Sequence, residues 1–123
     1  MERHPFPLEP HPADLEFVVG TLRALADPTR CKLSLLLAGH ERSVGDLTTT
    51  LGLPQSTVSR HLALLRAAGI VTPRRAANRV YYRLSDAHVA DLLKQAFAHA
   101  EHERLGLPDH SAKSSQAELE VRS

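Results

Sequence analysis

The chain has 123 residues, 42% of them hydrophobic, a length that suits one compact core and is too short for two ordinary domains. Its 15 lysines and arginines nearly balance its 14 acidic residues, which excludes a polybasic tail protein and an acidic disordered one. The single cysteine, Cys31, excludes an intrachain disulfide framework and a cysteine-rich zinc module. Without a long apolar run or a secretory signal, the sequence predicts a small, soluble, cytoplasmic protein.

The N-terminal third predicts an arm and two helices. Residues 1–13 hold four of the eight prolines and predict a flexible arm. Asp14 is the expected N-cap of a first helix, because apolar residues recur at helical spacing after it. Asp27 followed by Pro28 predicts the start of a second helix, which Gly39 is expected to close.

Two further helices and a tight turn follow. Ser43 is expected to cap a short third helix that runs to about Thr50. The fourth helix is predicted from about Gln55 to Ala68, with Gly69 as its end. Its expected inward residues are Val58, Leu62, Leu64 and Leu65.

The last third predicts a β-hairpin, a helix and a tail. Residues 70–76 and 80–84 are rich in strand-forming side chains, and Asn78 between them tolerates the positive φ of a hairpin turn. A helix from Asp86 to about Arg104 carries an apolar stripe, and the polar residues 107–123 predict a disordered tail.

The charges are distributed unevenly along the chain. Residues 47–85 contain no acidic residue and six arginines, which makes this segment +6 in a chain that is +1 overall. A concentrated basic region is typical of proteins that bind a polyanion, because each neutralised phosphate releases condensed counterions. An arginine-rich face in contact with solvent is the alternative for this segment taken alone. The six are Arg60, Arg66, Arg74, Arg75, Arg79 and Arg83.

The order of elements predicts a mainly α fold with a small β-hairpin, a winged helix-turn-helix spanning residues 14–106. Residues 43–68 would form the helix-turn-helix and residues 70–84 the wing. The second helix of such a motif lies in the major groove of DNA, with its N-terminal residues at the base edges. The expected DNA-binding residues are Gln55, Ser56, Thr57, Ser59, Arg60 and His61 on the helix, and Arg74, Arg75, Asn78 and Arg79 on the wing.

Four residues of metal-ligand type, Asp86, His88, His99 and His102, belong to the last predicted helix. His88 and His99 lie 11 positions apart, roughly 16 Å along a helix, so one metal ion cannot contact both within one chain. A second copy of the helix, packed antiparallel, would bring the first pair beside the last pair of its partner and create two symmetric sites per dimer. One carboxylate and three imidazoles suit a tetrahedral Zn²⁺ site, with Co²⁺ as a stand-in.

The other histidines have weaker cases. His40 is expected to be an ordinary surface residue. His4, His11 and His110 lie in the expected arms and are predicted to be unstructured, although they could add ligands to six-coordinate nickel or cobalt. Nickel, cobalt and cadmium therefore stay open beside zinc as the regulatory ligand.

Residues 15–104 resemble the ArsR/SmtB family of metal-sensing transcriptional repressors, specifically its zinc-type branch. The resemblance is carried by Ala26–Arg30, by Gln55–Leu62 in the recognition helix, and by the four residues of metal-ligand type named above. It implies a homodimer, joined through its N- and C-terminal helices, that represses metal efflux or sequestration genes and loses operator affinity when metal binds the C-terminal helices. It also implies that His99 bonds the backbone carbonyl at the end of the recognition helix, here that of Gly69.

The sequence departs from the thiol-using members of that family. Glu41–Leu47 lacks the two cysteines that arsenic-, cadmium- and lead-sensing relatives carry at the start of the third helix, and Cys31 alone is expected to be a packing residue. An enzyme with zinc-activated water is disfavoured, because four protein ligands leave no open coordination position. A metal-insensitive winged-helix regulator, or one with purely structural zinc, stays the alternative.

Overall fold

The computed structural model describes residues 9–106, so the expected tail, most of the expected arm, His4 and His110 lie outside the described residues. The helices are α1 (Pro12–Leu25), α2 (Pro28–Leu37), α3 (Val44–Leu51), α4 (Gln55–Ala67) and α5 (Ala87–Leu105). The strands are β1 (Arg42–Ser43), β2 (Val71–Ala76) and β3 (Arg79–Leu84). The chain divides into two units, one ending at Asp86 and one beginning at Ala87. No helix in the described range is long and apolar enough to span a membrane.

Side chains cap the starts of three helices. The Asp27 carboxylate accepts a hydrogen bond from the Arg30 backbone N–H at 3.0 Å, and the Ser43 hydroxyl accepts one from the Asp46 N–H at 3.0 Å. Both predicted N-caps are therefore confirmed. The prediction for α1 is wrong, because α1 begins at Pro12 and its cap is His11, whose Nδ1 accepts from the Ala13 N–H at 3.0 Å. An imidazole nitrogen can serve as a cap acceptor as well as a carboxylate, and proline suits the first helical position.

Left-handed glycines end α3 and α4. Gly52 has a φ of 66° and donates its N–H to the Thr48 carbonyl, while Gly69 has a φ of 77° and donates to the Arg66 carbonyl. Only a residue without Cβ adopts this conformation at no steric cost. Gly39 follows the C-cap of α2, Ala38, so the helix ends where predicted, but Gly39 does not take the left-handed conformation of Gly52 and Gly69.

The sheet has three antiparallel strands in the order β1-β3-β2. The strand β1 was absent from the sequence prediction because two residues are too few to show an alternating pattern. A two-residue loop joins β2 and β3, and its left-handed residue is Ala77, with a φ of 56°, rather than Asn78 as expected. Arg79 belongs to β3 and pairs with Ala76.

The core of the first unit joins α2, α3, α4 and the start of the wing. The prediction of Leu64 as an inward residue is wrong, because 48% of it is exposed, whereas its neighbour Leu65 is fully buried. This arrangement confirms the mainly α winged helix-turn-helix. The buried apolar residues of this unit are Leu33, Leu37, Leu47, Val58, Leu62, Leu65, Ile70 and Val71.

Candidate nucleic-acid interface

The recognition helix α4 presents a polar face at its N-terminus. Gln55, Ser56, Ser59 and Arg60 are exposed, while Val58 is fully buried and fixes the rotation of the helix. Short polar side chains and one arginine can donate and accept hydrogen bonds at base edges and phosphates. Thr57 is half-buried beside this face.

His61 does not share that face. Its side chain is only 13% exposed, and its Nδ1 lies 3.3 Å from the Arg30 guanidinium and 3.9 Å from the Asp27 carboxylate. The same Asp27 carboxylate caps α2, and its pKa is lowered mainly by the backbone N–H of Arg30. His61 therefore links α4 to the start of α2, and we exclude it from the expected DNA contacts.

A cleft of about 690 Å³ separates α3 and α4 from the wing. The expected contacts Gln55, Ser59, Asn78 and Arg79 line it. Sequence reasoning missed the contribution of α3 and of β3 to this surface. In β3 the alternating pattern indicates that Val80 and Tyr82 share one face of the sheet. Only the tertiary structure shows that α3 also lines the cleft. The added residues are Ser43, Val44, Gly45, Asp46, Thr49, Val80 and Tyr82.

Arg74 is held in an ion pair. Its guanidinium donates two hydrogen bonds to the Glu41 carboxylate, at 2.9 and 2.7 Å, and lies 4.8 Å from the centre of the Tyr81 ring. Hydrogen bonding from Arg74 lowers the pKa of Glu41, and the same bond raises the pKa of Arg74. The basic segment contains no acidic residue, but the fold brings Glu41 against it. A phosphate contact by Arg74 stays a prediction, and it would have to compete with this ion pair.

Four arginines of the basic segment keep their charge available. Within residues 9–106, Arg60, Arg66, Arg75 and Arg79 are exposed, and their guanidinium groups make no hydrogen bond or ion pair with another side chain or a carbonyl. Arg83 donates to the Leu84 carbonyl at 3.2 Å. The positive charge of the interface thus lies on α4 and on the outer part of the wing.

The expected metal ligands lie at the two ends of α5. Asp86 precedes its first residue, His88 is in its first turn, and His99 and His102 are in its last two turns. Asp86, His88 and His99 are exposed, and His102 is half-buried. No group of three or more metal-ligating side chains comes together within the described part of one chain. The donor chemistry fits zinc, but the described residues of one chain do not by themselves form a complete site.

The fold and its basic polar face define a winged helix-turn-helix protein that binds DNA. A model of the family described as "Bacterial regulatory protein, arsR family" matches residues 27–72. The chain is 43% identical over 95 residues to the HTH-type transcriptional repressor SmtB of Mycobacterium tuberculosis, covering 77% of this chain and 70% of that protein. It is 44% identical over 92 residues to the regulator NmtR of the same organism, covering 75% and 77%.

Comparison with solved structures supports the same family. A homodimeric winged helix-turn-helix DNA-binding domain from Mycobacterium bovis, a possible ArsR-family regulator, has a TM-score of 0.73 and 30% identity, covering 89% of this chain and 99% of that one. The transcriptional repressor BigR from Xylella fastidiosa has a TM-score of 0.64 and 34% identity, covering 72% and 95%. This chain therefore belongs to the ArsR family of bacterial regulatory proteins, and it is a transcriptional regulator rather than an enzyme.

Proposed function

We propose that this protein is a metal-responsive transcriptional repressor. Its metal-free homodimer binds operator DNA in the cytoplasm, and Zn²⁺ bound between paired α5 helices lowers the affinity for DNA. The observation that carries the proposal is the placement of four suitable donors at opposite ends of α5, too far apart to act within one chain.

Exposed apolar surface supports the dimer. The helix α1 has no buried residue in the single chain, and it exposes 64% of Phe17 and about half of Leu15, Val18 and Leu22. In the second unit, α5 exposes 45% of Phe97 and 42% of Leu92. Large exposed apolar faces mark interaction sites. The M. bovis structure is described as homodimeric, and two-fold symmetry would present two recognition helices to half-sites roughly 34 Å apart.

Each metal site would use Asp86 and His88 of one subunit and His99 and His102 of its partner. Bound Zn²⁺ would supply coordination bonds that join the two subunits. The second ring nitrogen of a ligating imidazole commonly donates to a carbonyl. A bond from His99 to the Gly69 carbonyl would reach the residue that ends α4, and so would couple the site to the recognition helix. Cobalt, nickel and cadmium are the alternative ligands.

The DNA contacts would come from α4 and the outer wing. On α4 they are Gln55, Ser56, Thr57, Ser59 and Arg60, and on the wing they are Arg75, Asn78 and Arg79. None of these residues belongs to α5, so the proposed DNA contacts and the proposed metal ligands are different residues in different elements. Zn²⁺ can weaken DNA binding only if it binds the low-affinity conformation of the dimer more tightly than the DNA-binding conformation. A coupling free energy of about 1–3 kcal/mol corresponds to a 5–150-fold decrease in DNA affinity.

Fluorescence anisotropy tests the proposal, using a DNA fragment that the metal-free protein selects from a random-sequence pool. We expect Zn²⁺ to weaken binding by roughly 5–150-fold, and Co²⁺, Ni²⁺ and Cd²⁺ added in turn identify the strongest effector. The variant His99→Ala should bind DNA as tightly as the unchanged protein without metal and should lose the metal response.

The matched control is His40→Ala, which removes an exposed imidazole outside α5 and should keep the full response. Equal DNA affinity with zinc and with chelator would instead identify a metal-insensitive regulator or one with structural zinc. Loss of metal-free DNA binding in a folded His99→Ala dimer would contradict the separation of roles.

A further inference from the structure

A second groove lies between the last turn of α4 and strand β2. Its volume is about 380 Å³, and its lining includes Arg66 from α4 and Arg75 from β2. The other lining residues are Pro73, Val80 and Tyr82. Arg75 is one of the expected DNA contacts of the wing, whereas Arg66 is known so far only as part of the basic segment.

The groove concentrates positive charge. Arg66 and Arg75 are both exposed, neither guanidinium group has a partner among residues 9–106, and the lining contains no acidic residue. Arg74 is the neighbour of Arg75, but side chains alternate along a strand, so Arg74 lies on the opposite face of the sheet with Tyr81 and Glu41. Two like charges in one groove repel each other, and a bound anion relieves that repulsion.

The position of Arg66 on α4 identifies a suitable anion. Arg66 follows Gln55 by 11 residues, roughly 16 Å along the helix axis. Eleven residues are close to three full turns, so Arg66 lies on the same side of α4 as Gln55. The major groove is about 8.5 Å deep, so a helix with its N-terminus at the base edges carries Arg66 near the rim of the groove, where the phosphates lie. Guanidinium groups bind phosphate oxygens through paired hydrogen bonds.

We propose that Arg66 and Arg75 form a phosphate-binding groove that holds the operator backbone beside the half-site read by α4. The proposal rests on the proposed DNA interface and is independent of metal binding. A free phosphate or polyphosphate shares the same chemistry, and the experiment below distinguishes it from a DNA phosphodiester.

The test measures the salt dependence of DNA binding for metal-free Arg66→Gln, Arg75→Gln and the double variant, with the selected fragment, between 50 and 200 mM salt. Each lost phosphate contact reduces the slope of log K against log salt by about 0.9. We expect that reduction in each single variant and about twice that in the double variant. Specific and random DNA should weaken by the same factor, because phosphate contacts carry no base information.

The matched control is Arg23→Gln, which removes the same charge from an exposed position on α1 and should leave the slope unchanged. A merely structural role of Arg66 at the helix C-terminus would lower stability without changing the slope, so urea unfolding is measured in parallel. A slope for Arg66→Gln equal to that of Arg23→Gln overturns the proposal.

Two further measurements distinguish a failure of the phosphate groove from a failure of the proposed DNA interface. The first is a titration of the unchanged protein with inorganic phosphate or pyrophosphate. If the protein binds either anion, and Arg66→Gln leaves the salt slope of DNA binding unaltered, the groove is a site for a free anion and the proposal is overturned. Arg60→Gln tests the interface itself. If Arg60→Gln weakens DNA binding and Arg66→Gln does not, only the groove fails, whereas no DNA binding by the unchanged protein contradicts the proposed function.

Discussion

At the scale of single residues, the ion pair between Glu41 and Arg74 changes the charge map of the wing. Glu41 precedes β1 and Arg74 lies in β2, 33 residues later, so only the folded chain brings them together. The carboxylate accepts two hydrogen bonds from the guanidinium, which lowers its pKa below the ordinary range. The pair engages Arg74 within the protein, whereas the guanidinium groups of Arg75 and Arg79 have no partner among residues 9–106.

The pair predicts how stability depends on pH. A depressed folded-state pKa means that the contribution of Glu41 is fully present above its unfolded pKa, about 4.3, and is lost as the pH falls through the lower folded value. We expect Glu41→Gln to be less stable than the unchanged protein at pH 6, and the difference to shrink below about pH 4.3. Urea unfolding followed by circular dichroism at pH 3 to 7 measures this. A difference that stays constant over that range would show that the pair contributes no charge-dependent stability.

At the scale of elements, α3 depends on its cap. It has only eight residues, and its hydroxyl cap, Ser43, is also the last residue of β1 and pairs with Tyr81. Ser43 therefore caps α3, belongs to the edge strand of the sheet, and lines the cleft between α3, α4 and the wing. Isolated helices of this length are not stable in water, so α3 requires its cap and its buried Leu47.

Replacing the cap should have a measurable cost. We expect Ser43→Ala to destabilise the protein by about 1 kcal/mol, because an N–H of the first turn loses its acceptor. Ser43→Asp keeps an acceptor and should recover most of that loss. Urea unfolding at neutral pH compares the three proteins. Equal stability of Ser43→Ala and the unchanged protein would mean that the cap contributes nothing.

At the scale of the whole molecule, the apolar face of α1 is not explained by a single chain. The exposed residues Leu15, Val18 and Leu22 recur on one side of the helix, whereas Phe17 lies over Gly69 of the same chain at the end of α4. An amphipathic helix normally turns its apolar stripe toward a core. In the proposed dimer, that core is shared with the second copy.

Disrupting this face should separate the subunits. We expect Val18→Asp with Leu22→Asp to sediment at the mass of one chain under conditions where the unchanged protein sediments at twice that mass, because buried unpaired carboxylates are costly. Lys32→Asp, on the exposed side of α2, should stay dimeric. Sedimentation equilibrium provides the comparison. A monomeric unchanged protein at tens of micromolar would contradict both the dimer and the proposed metal site.

The sequence by itself determined the features that a few neighbouring residues control. Asp27 and Ser43 start helices, Gly52 and Gly69 end them, and the alternation in β3 marks a strand, because caps, turns and periodicity act over one or two turns of chain. The order of these elements was enough for the winged helix-turn-helix. The donors at the ends of α5 were also readable, since helical rise converts their spacing into distance.

Only the tertiary structure decided which side chains are engaged. Helical spacing cannot distinguish Leu64 from Leu65 at the edge of an apolar stripe, and it left His61 on the DNA-binding face when its contacts are with Arg30 and Asp27. Glu41 neutralises Arg74, while Arg66 and Arg75 meet in one groove from separate elements. These outcomes depend on contacts between residues far apart in the chain, and no local hydrogen bond or periodicity encodes them.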